Sequence, residues 1–350
     1  MDTQSRMDLI RQVGEEILTE DDLKALLDSN EHPIAYDGFE PSGKVHIAQG
    51  VMRTITINKM LKAGCKFKML VADWHAWANN KVGGDLENIQ TVGNYLIETW
   101  KAAGMDTDKV EFVWANDFMA DRDYWKTVMN VARSSTVSRI LRCSQIMGRK
   151  ESDALNASQI FYPCMQAADI FKLDVDICQL GLDQRKVNVL ARELAPGLGF
   201  TKPVAVHHHM LAGLHEPKGD ALEAKMSKSK PDSAIFMTDP VEEVERKLKK
   251  AFCPEKLVEQ NPVMEYCRYI LFERFPTLDI ERPEKFGGDI SYSSYMELEL
   301  DYTAGNLHPA DLKTAVARQL NELLEPVRKH FASGRPKELL EQVQSFQVTR

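Results

Sequence analysis

The sequence predicts an α/β protein: a Rossmann-like parallel sheet with a helical insertion, followed by a mainly α-helical C-terminal domain. Three observations carry this. Between residues 33 and 114, short apolar runs alternate with stretches of helical spacing. After a long helical stretch at about 122–172 the alternation resumes, with apolar runs at 175–181 and 203–209. Beyond Asp239-Pro240 the spacing stays helical almost to the end. Strand and helix in strict alternation imply right-handed crossovers and a sheet covered on both faces.

The elements follow in order. Residues 6–17 and 21–29 place apolar groups at helical spacing (Leu9, Ile10, Val13, Ile17; Leu23, Leu26, Leu27), and Thr19 with Asp22 marks a helix start. The first strand, from Pro33 to Phe39, ends in the turn Glu40-Pro41-Ser42-Gly43. A helix over 46–63 stops at Gly64, and Lys66 to Asp73 is the second strand. A helix at about 86–103 stops at Gly104, and Val110 to Trp114 is the third strand. Val175 to Gly181 and Pro203 to His209 are the fourth and fifth. The expected domains are a helical segment over 1–32, a catalytic domain over 33–236 with its insertion at about 116–174, and a helical domain over 237–350.

Composition narrows the class. A chain of 350 residues with 43% hydrophobic content can bury a large core and leaves room for two domains. No apolar run approaches the roughly 20 residues that cross a bilayer. The N-terminus has neither an apolar signal core nor an acid-free, Arg-rich leader, so a cytoplasmic protein is the expectation. Six scattered cysteines without a C-x-x-C pair argue for reduced, buried thiols rather than disulfides or a zinc site. The net charge of −8 argues mildly against nucleic acid, but its distribution is uneven. From Tyr124 to Lys150 there is no acid, while Lys126, Arg133, Arg139, Arg142, Arg149 and Lys150 are basic. His207-His208-His209 is not expected to hold a metal, because neighbours on a strand face opposite ways.

Two segments carry the chemistry. The first is Tyr36-x-Gly38-x-Glu40-Pro41-Ser42-Gly43-x-x-His46-x-x-Gln49-Gly50. Gly38 and Gly50 let backbone approach a nucleotide, and a helix beginning near His46 favours phosphate oxygens at its N-terminus. The second is Lys225-Met226-Ser227-Lys228-Ser229, two lysines among hydroxyls in a polar segment. Such lysines can neutralise charge developing on a triphosphate. Both segments, with Gly181-Leu182-Asp183-Gln184, fall after strands of the sheet, where open α/β folds bind ligands. Tyr162, Gln166 and Asp169 stand at i, i+4 and i+7 and share one helix face.

These segments resemble the HIGH and KMSKS elements of class I aminoacyl-tRNA synthetases. The chain is similar over nearly its whole length to tyrosyl-tRNA synthetases of the archaeal/eukaryotic type. Leu70 to Ala76, Tyr162-Pro163 with Gln166 and Asp169, Gly181 to Lys186, Phe286 to Asp289, and Leu307-His308-Pro309 with Asp311 extend the resemblance. It implies that Tyr36 and Asp169 bond a substrate phenol, that Tyr162, Gln166 and Gln184 hold its ammonium group, and that Glu40 and His75 belong to the same amino-acid site. It implies an ATP site of Gly38, His46, Gln49, Gly50, Asp183, Lys225, Met226, Ser227, Lys228 and Ser229, with His46, Lys225 and Lys228 catalytic. ATP would arrive with Mg²⁺ as a substrate complex, with no tightly bound cofactor and no resident metal. Arg133, Arg139, Arg142, Phe286 and Asp311 would contact tRNA(Tyr), the last two through an anticodon-binding C-terminal domain, and the protein would be a homodimer that needs no membrane. One departure stands out: Ala48 and Gln49 replace the glycine and second histidine of HIGH. The expected function is a tyrosine–tRNA ligase. A tryptophanyl enzyme of the same class, a small-molecule nucleotidyltransferase and a synthetase-like binding protein remain as alternatives.

Overall fold

The computed structural model describes residues 1–147, 154–217, 226, 228 and 230–346. Its centre is a six-stranded sheet in the order β1-β6-β5-β2-β3-β4, formed by β1 (Glu16–Leu18), β2 (Ile34–Phe39), β3 (Lys66–Val71), β4 (Val110–Trp114), β5 (Ile177–Gly181) and β6 (Val204–His208). All neighbours are parallel except β1, which runs antiparallel to β6. The five strands read from sequence are present. The N-terminal expectation needs correction: α1 (Thr3–Arg11) ends early, and Glu16 to Leu18 leaves the helix to close the sheet edge. Gly14 makes this possible, because a Cβ there would lie 2.9 Å from Val206. Thr19 caps α2 (Glu20–Ser29) as its spacing predicts, accepting from the Asp22 amide.

After β2 the chain passes His46 and makes a widened π turn over Ala48–Met52 before α3 (Arg53–Lys62), two residues later than a helix opening at His46. α4 (Asp73–Ala78) and α5 (Leu86–Ala102) connect β3 to β4. The insertion comprises α6 (Arg122–Arg133), α7 (Val137–Arg142) and α8 (Ala157–Lys172), and α9 (Arg185–Leu198) connects β5 to β6. Two apolar clusters cover the two faces of the sheet. One gathers α6 to α9. The other gathers α1, α2, α3 and α5 and continues without a break into the C-terminal helices. There, helix Gly334–Ser345 packs on α5, and Pro309–His330 packs on Val241–Lys250. The C-terminal part also holds a short antiparallel pair, β7 (Leu278–Ile280) and β8 (Ile290–Tyr292), which helical spacing did not announce. Arg6 ties α1 to its neighbours by donating to the carbonyls of Ala63, Leu27, Asn30 and Glu31. All six cysteines are buried and free.

The α5–sheet contact is tight enough to test. A Cβ on Gly93 would lie 2.5 Å from the Trp114 ring and 2.8 Å from Val71. Gly93→Ala is expected to lower unfolding free energy by about 1–3 kcal/mol, read by urea denaturation, through overpacking rather than any change at the ligand site.

Candidate functional site

Strand order sets the position of the site. From β2 the chain builds outward through β3 and β4, whereas β5 lies on the other side of β2. The carboxyl ends of β2 and β5 therefore border a crevice that no crossover helix covers. A cavity of about 270 Å³ opens there. Tyr36, Gly38, Glu40, His46, Gln49, His75, Tyr162, Gln166, Asp169, Asp183, Gln184 and Met226 all line it. Groups up to 190 positions apart in the chain thus meet, as the sequence reading requires.

One end is built around Asp169. Its side chain is fully buried on α8. Tyr124 donates its hydroxyl to Asp169 Oδ1 at 2.9 Å, and His75 Nε2 lies 2.8 Å from Oδ2. Burial, the largest influence, opposes a charged imidazole, but Asp169 and the nearby charges of Glu40 and Asp73 together raise the His75 pKa. Tyr36, equally buried, has its phenol pKa pushed up by burial and by Asp169, so it remains a donor. The His75 and Tyr162 rings meet edge-on at 5.2 Å between centroids. Gln166 Nε2 donates to Gln184 Oε1 at 3.0 Å, and Gln184 reaches the Ile146 carbonyl. Asn79 holds Glu40 at 3.0 Å. The arrangement is a deep pocket of aromatic walls with a hydrogen-bonded carboxylate at its base and amides nearer its mouth. It suits a flat molecule with a hydroxyl at one end and a polar group at the other.

Ser42, in the turn after β2, lines another part of the cavity, and Lys228 donates to its Oγ at 2.9 Å. Loss of water and the like charge of Lys81 push the Lys228 pKa down to about 7, against the pull of Glu40. Lys225, Ser227 and Ser229 lie outside the described residues. A Cβ on Gly181 would lie 2.6 Å from both Asp183 Oδ1 and Met210 Sδ, so a side chain there would displace two groups that line the cavity. Gly50 is not among the residues lining the cavity, and a Cβ there would lie 2.3 Å from Met237 Sδ.

The residues expected at tRNA do not line this cavity. Arg133 and Arg142 are exposed on the insertion, and Arg139 pairs with Glu193 at 2.6 Å. Phe286 is 60% exposed, with the Lys285 ammonium 4.8 Å from its ring, and Asp311 opens helix Pro309–His330. The three consecutive histidines diverge. His207 meets Glu16, His208 meets Arg53, and His209 stacks on Tyr269.

Sequence reasoning missed Tyr124, which it counted only as the start of an acid-free stretch. It also missed Asp37 and Arg53, a fully buried ion pair at the base of the cavity. Arg53 had a signal: it stands at i+7 from His46 on the same apolar helix pattern. Tyr124 had none, since its partner is 45 residues away.

Comparison with known proteins agrees with this geometry. Residues 28–325 match the family of class I tRNA synthetases for tryptophan and tyrosine (W and Y), and the chain belongs to that family. Cytoplasmic tyrosine–tRNA ligase 1 of Arabidopsis thaliana is 52% identical over all of this chain and 90% of its own length. The tyrosyl-tRNA synthetase of Aeropyrum pernix superposes with a TM-score of 0.89 at 40% identity, covering 98% of this chain and 99% of that one. The Pyrococcus horikoshii enzyme complexed with L-tyrosine gives 0.91 at 42% identity, covering 99% and 100%. The tryptophanyl-tRNA synthetase of Plasmodium falciparum, at 19% identity and a TM-score of 0.69, shares the fold alone. Within its family the chain is therefore a member of the tyrosine–tRNA ligases of archaeal and eukaryotic type, and an aminoacyl-tRNA synthetase.

Asp169→Asn replaces a charged acceptor by an amide while keeping Tyr124 within reach. The expected result is a fall in selectivity for tyrosine over phenylalanine of on the order of 10- to 100-fold, because the phenol then loses its charged partner. Competing amino-acid activation assays would read it.

Proposed function

We propose that this tyrosine–tRNA ligase works in two steps within the one cavity. L-Tyrosine enters with its phenol toward Asp169 and Tyr36 and its ammonium group toward Tyr162, Gln166 and Gln184, with Glu40 and His75 completing the amino-acid site. ATP, carried as its Mg²⁺ complex, lies along Gly38, His46, Gln49 and Asp183, with Lys225, Met226, Ser227, Lys228 and Ser229 assigned to its phosphates by the same reading. A tyrosine carboxylate oxygen attacks the α-phosphorus, the bond to the β-phosphate breaks, and pyrophosphate leaves. His46, Lys225 and Lys228 offset the negative charge that develops, and no enzyme-bound covalent intermediate is needed. A ribose hydroxyl at the 3′ end of tRNA(Tyr) then attacks the tyrosyl carbonyl, and AMP leaves.

The observation that carries this reading is the pairing of two unlike ends in one crevice. Asp169, held by Tyr124 and His75, lies at one end, and Lys228, on Ser42, at the other. Phosphate contacts from Arg133, Arg139 and Arg142 suit an acceptor stem approaching the insertion, since such contacts position without reading bases. Residues 237–350, with exposed Phe286 and with Asp311, are the anticodon-binding domain in this reading. Exposed Trp77, Trp125, Met129 and Phe161 leave an apolar surface on and around the insertion that suits a second copy, making a homodimer. The cytoplasm is the proposed location, as named for the Arabidopsis relative.

Two measurements test the reading. Tyrosine is expected to drive ATP–pyrophosphate exchange, with phenylalanine and tryptophan lower by about 10⁴-fold or more, the range already established for hydroxyl-recognising sites of this enzyme class. Exchange driven equally by tryptophan would sink it. The second concerns Lys228. With its pKa near 7 before ATP binds, the amine is mostly neutral at pH 8. Phosphates beside it favour the charged form and raise that pKa, so ATP binding at pH 8 is expected to take up close to one proton. Calorimetry in buffers of different ionisation enthalpy measures it, and uptake should vanish in Lys228→Met.

A further inference from the structure

The cavity lining is short of positive charge. It carries the carboxylates of Asp37, Glu40, Asp169 and Asp183, and among its described residues Arg53 is the one lysine or arginine. A nucleoside triphosphate is a polyanion, so a carboxylate near it opposes binding unless a cation offsets it. His75 stands beside Asp169, Lys81 lies 3.9 Å from Glu40, and Arg53 pairs with Asp37 and also acts on the charge of Asp183. The turn before Arg53 does not supply the missing charge. Gln49 stands where the family signature has its second histidine, and glutamine is neutral.

Arg53 stands at i+4 from Gln49, with the π turn between them setting its direction. Such widened turns recur at functional sites. The guanidinium is fully buried and pairs with Asp37. It also donates to Gln179 Oε1 at 2.8 Å and to His208 Nδ1 at 2.9 Å. Arginine only donates, so Nδ1 must accept, and His208 is a neutral ring with its proton on Nε2. Burial and the Arg53 charge both depress the His208 pKa, in agreement. Asp37 Oδ1 accepts the Gly38 amide at 2.8 Å, which links the pair to the strand end beside the nucleotide. Stability does not account for the arrangement, since a buried arginine–carboxylate pair is often replaceable by apolar groups without loss.

We propose that Arg53 is a positioning residue for the nucleotide: its buried charge, fixed by Asp37, Gln179 and His208, offsets the carboxylates at the base of the cavity and so sets the affinity for ATP without touching tyrosine. The proposal rests on the ATP-dependent reading of the same cavity.

The test uses the full chain with Arg53→Met, Arg53→Lys and Asp37→Asn, reading KM for ATP in tyrosine-dependent exchange and, separately, the dissociation constant of tyrosine. Assayed well above the pKa of about 6 to which burial raises Asp37 even beside Arg53, so that its carboxylate keeps its charge, Arg53→Met should raise KM for ATP about tenfold, the effect of one charge acting through roughly 10 Å of protein. Arg53→Lys should recover most of that loss. Asp37→Asn keeps an acceptor for the Gly38 amide and removes the opposing charge, so KM for ATP should fall several-fold. Tyrosine binding should stay within about twofold throughout. A merely structural pair predicts the same sign for both removals, with tyrosine binding weakened in step, and that result overturns the proposal. If Arg53→Met does not fold, Asp37→Asn decides alone: a lowered KM supports the proposal, and an unchanged or raised one overturns it. Absence of any exchange by the unaltered chain overturns the ATP reading and the proposal together; exchange with same-sign responses overturns the proposal alone.

Discussion

The crevice between β2 and β5 governs everything else in the molecule. Once the chain has run outward from β2 and then returned to β5 on its other side, the carboxyl ends of these two strands stay open to ligands. Each strand end then delivers a short set of polar groups to one place. β2 delivers Tyr36, Asp37 and the turn with Glu40 and Ser42; β5 delivers Gly181, Asp183 and Gln184; β6 delivers His208 and His209. Side-chain alternation splits β2 further. Tyr36 packs with the α8 side toward Asp169, whereas Asp37 faces Arg53 on α3. One strand thereby serves both ends of the cavity.

Much of this was legible in the chain, and the pattern of what was not is informative. The strands stand out because each is a compact apolar run, and β5 and β6 are buried at every residue. Tyr162, Gln166 and Asp169 were readable because a helix repeats its face in sequence, so three ligand-facing groups fall at fixed spacing. Tyr124, the group that holds Asp169, comes from α6, and no local pattern links the two helices. β1 escaped notice for a related reason. Three half-buried residues at a sheet edge carry no periodicity of their own, and Ile17 fits equally well as the last apolar position of a helix. β7 and β8 are as short, and only their mutual pairing makes them strands. Gly50 carries a second constraint that the signature did not show: a Cβ there would meet Met237.

The two ends of the cavity handle charge in different ways. In the proposed amino-acid site a buried carboxylate accepts the Tyr124 hydroxyl on one oxygen and has the His75 ring 2.8 Å from the other, where no hydrogen bond is formed. Those contacts leave lone pairs in place, and a carboxylate oxygen can accept a further donor. In the proposed function a substrate hydroxyl therefore adds to the network. A phenyl ring would instead leave Tyr36 buried beside it without a partner. Selection by an unmatched polar group is stronger than selection by shape, because the penalty falls on the wrong ligand alone.

For a nucleotide, in the proposed function, the difficulty is reversed, because it brings more negative charge than the described walls can balance. Lys228 donates to Ser42, with little water around it and Lys81 near, and its proton is easily lost. A polyphosphate restores the charge by its own presence, so the cation appears where and when the anion does. Arg53 cannot behave in this way. Its guanidinium stays protonated under any ordinary condition, even where burial lowers its pKa, and Asp37 holds it in place. A permanent charge beneath the cavity and an inducible one above it divide the work. The first prevents the carboxylates of the floor from repelling the nucleotide, and the second responds to the phosphates. That division also accounts for how a chain with glutamine at the second signature position keeps a site fit for a polyanion.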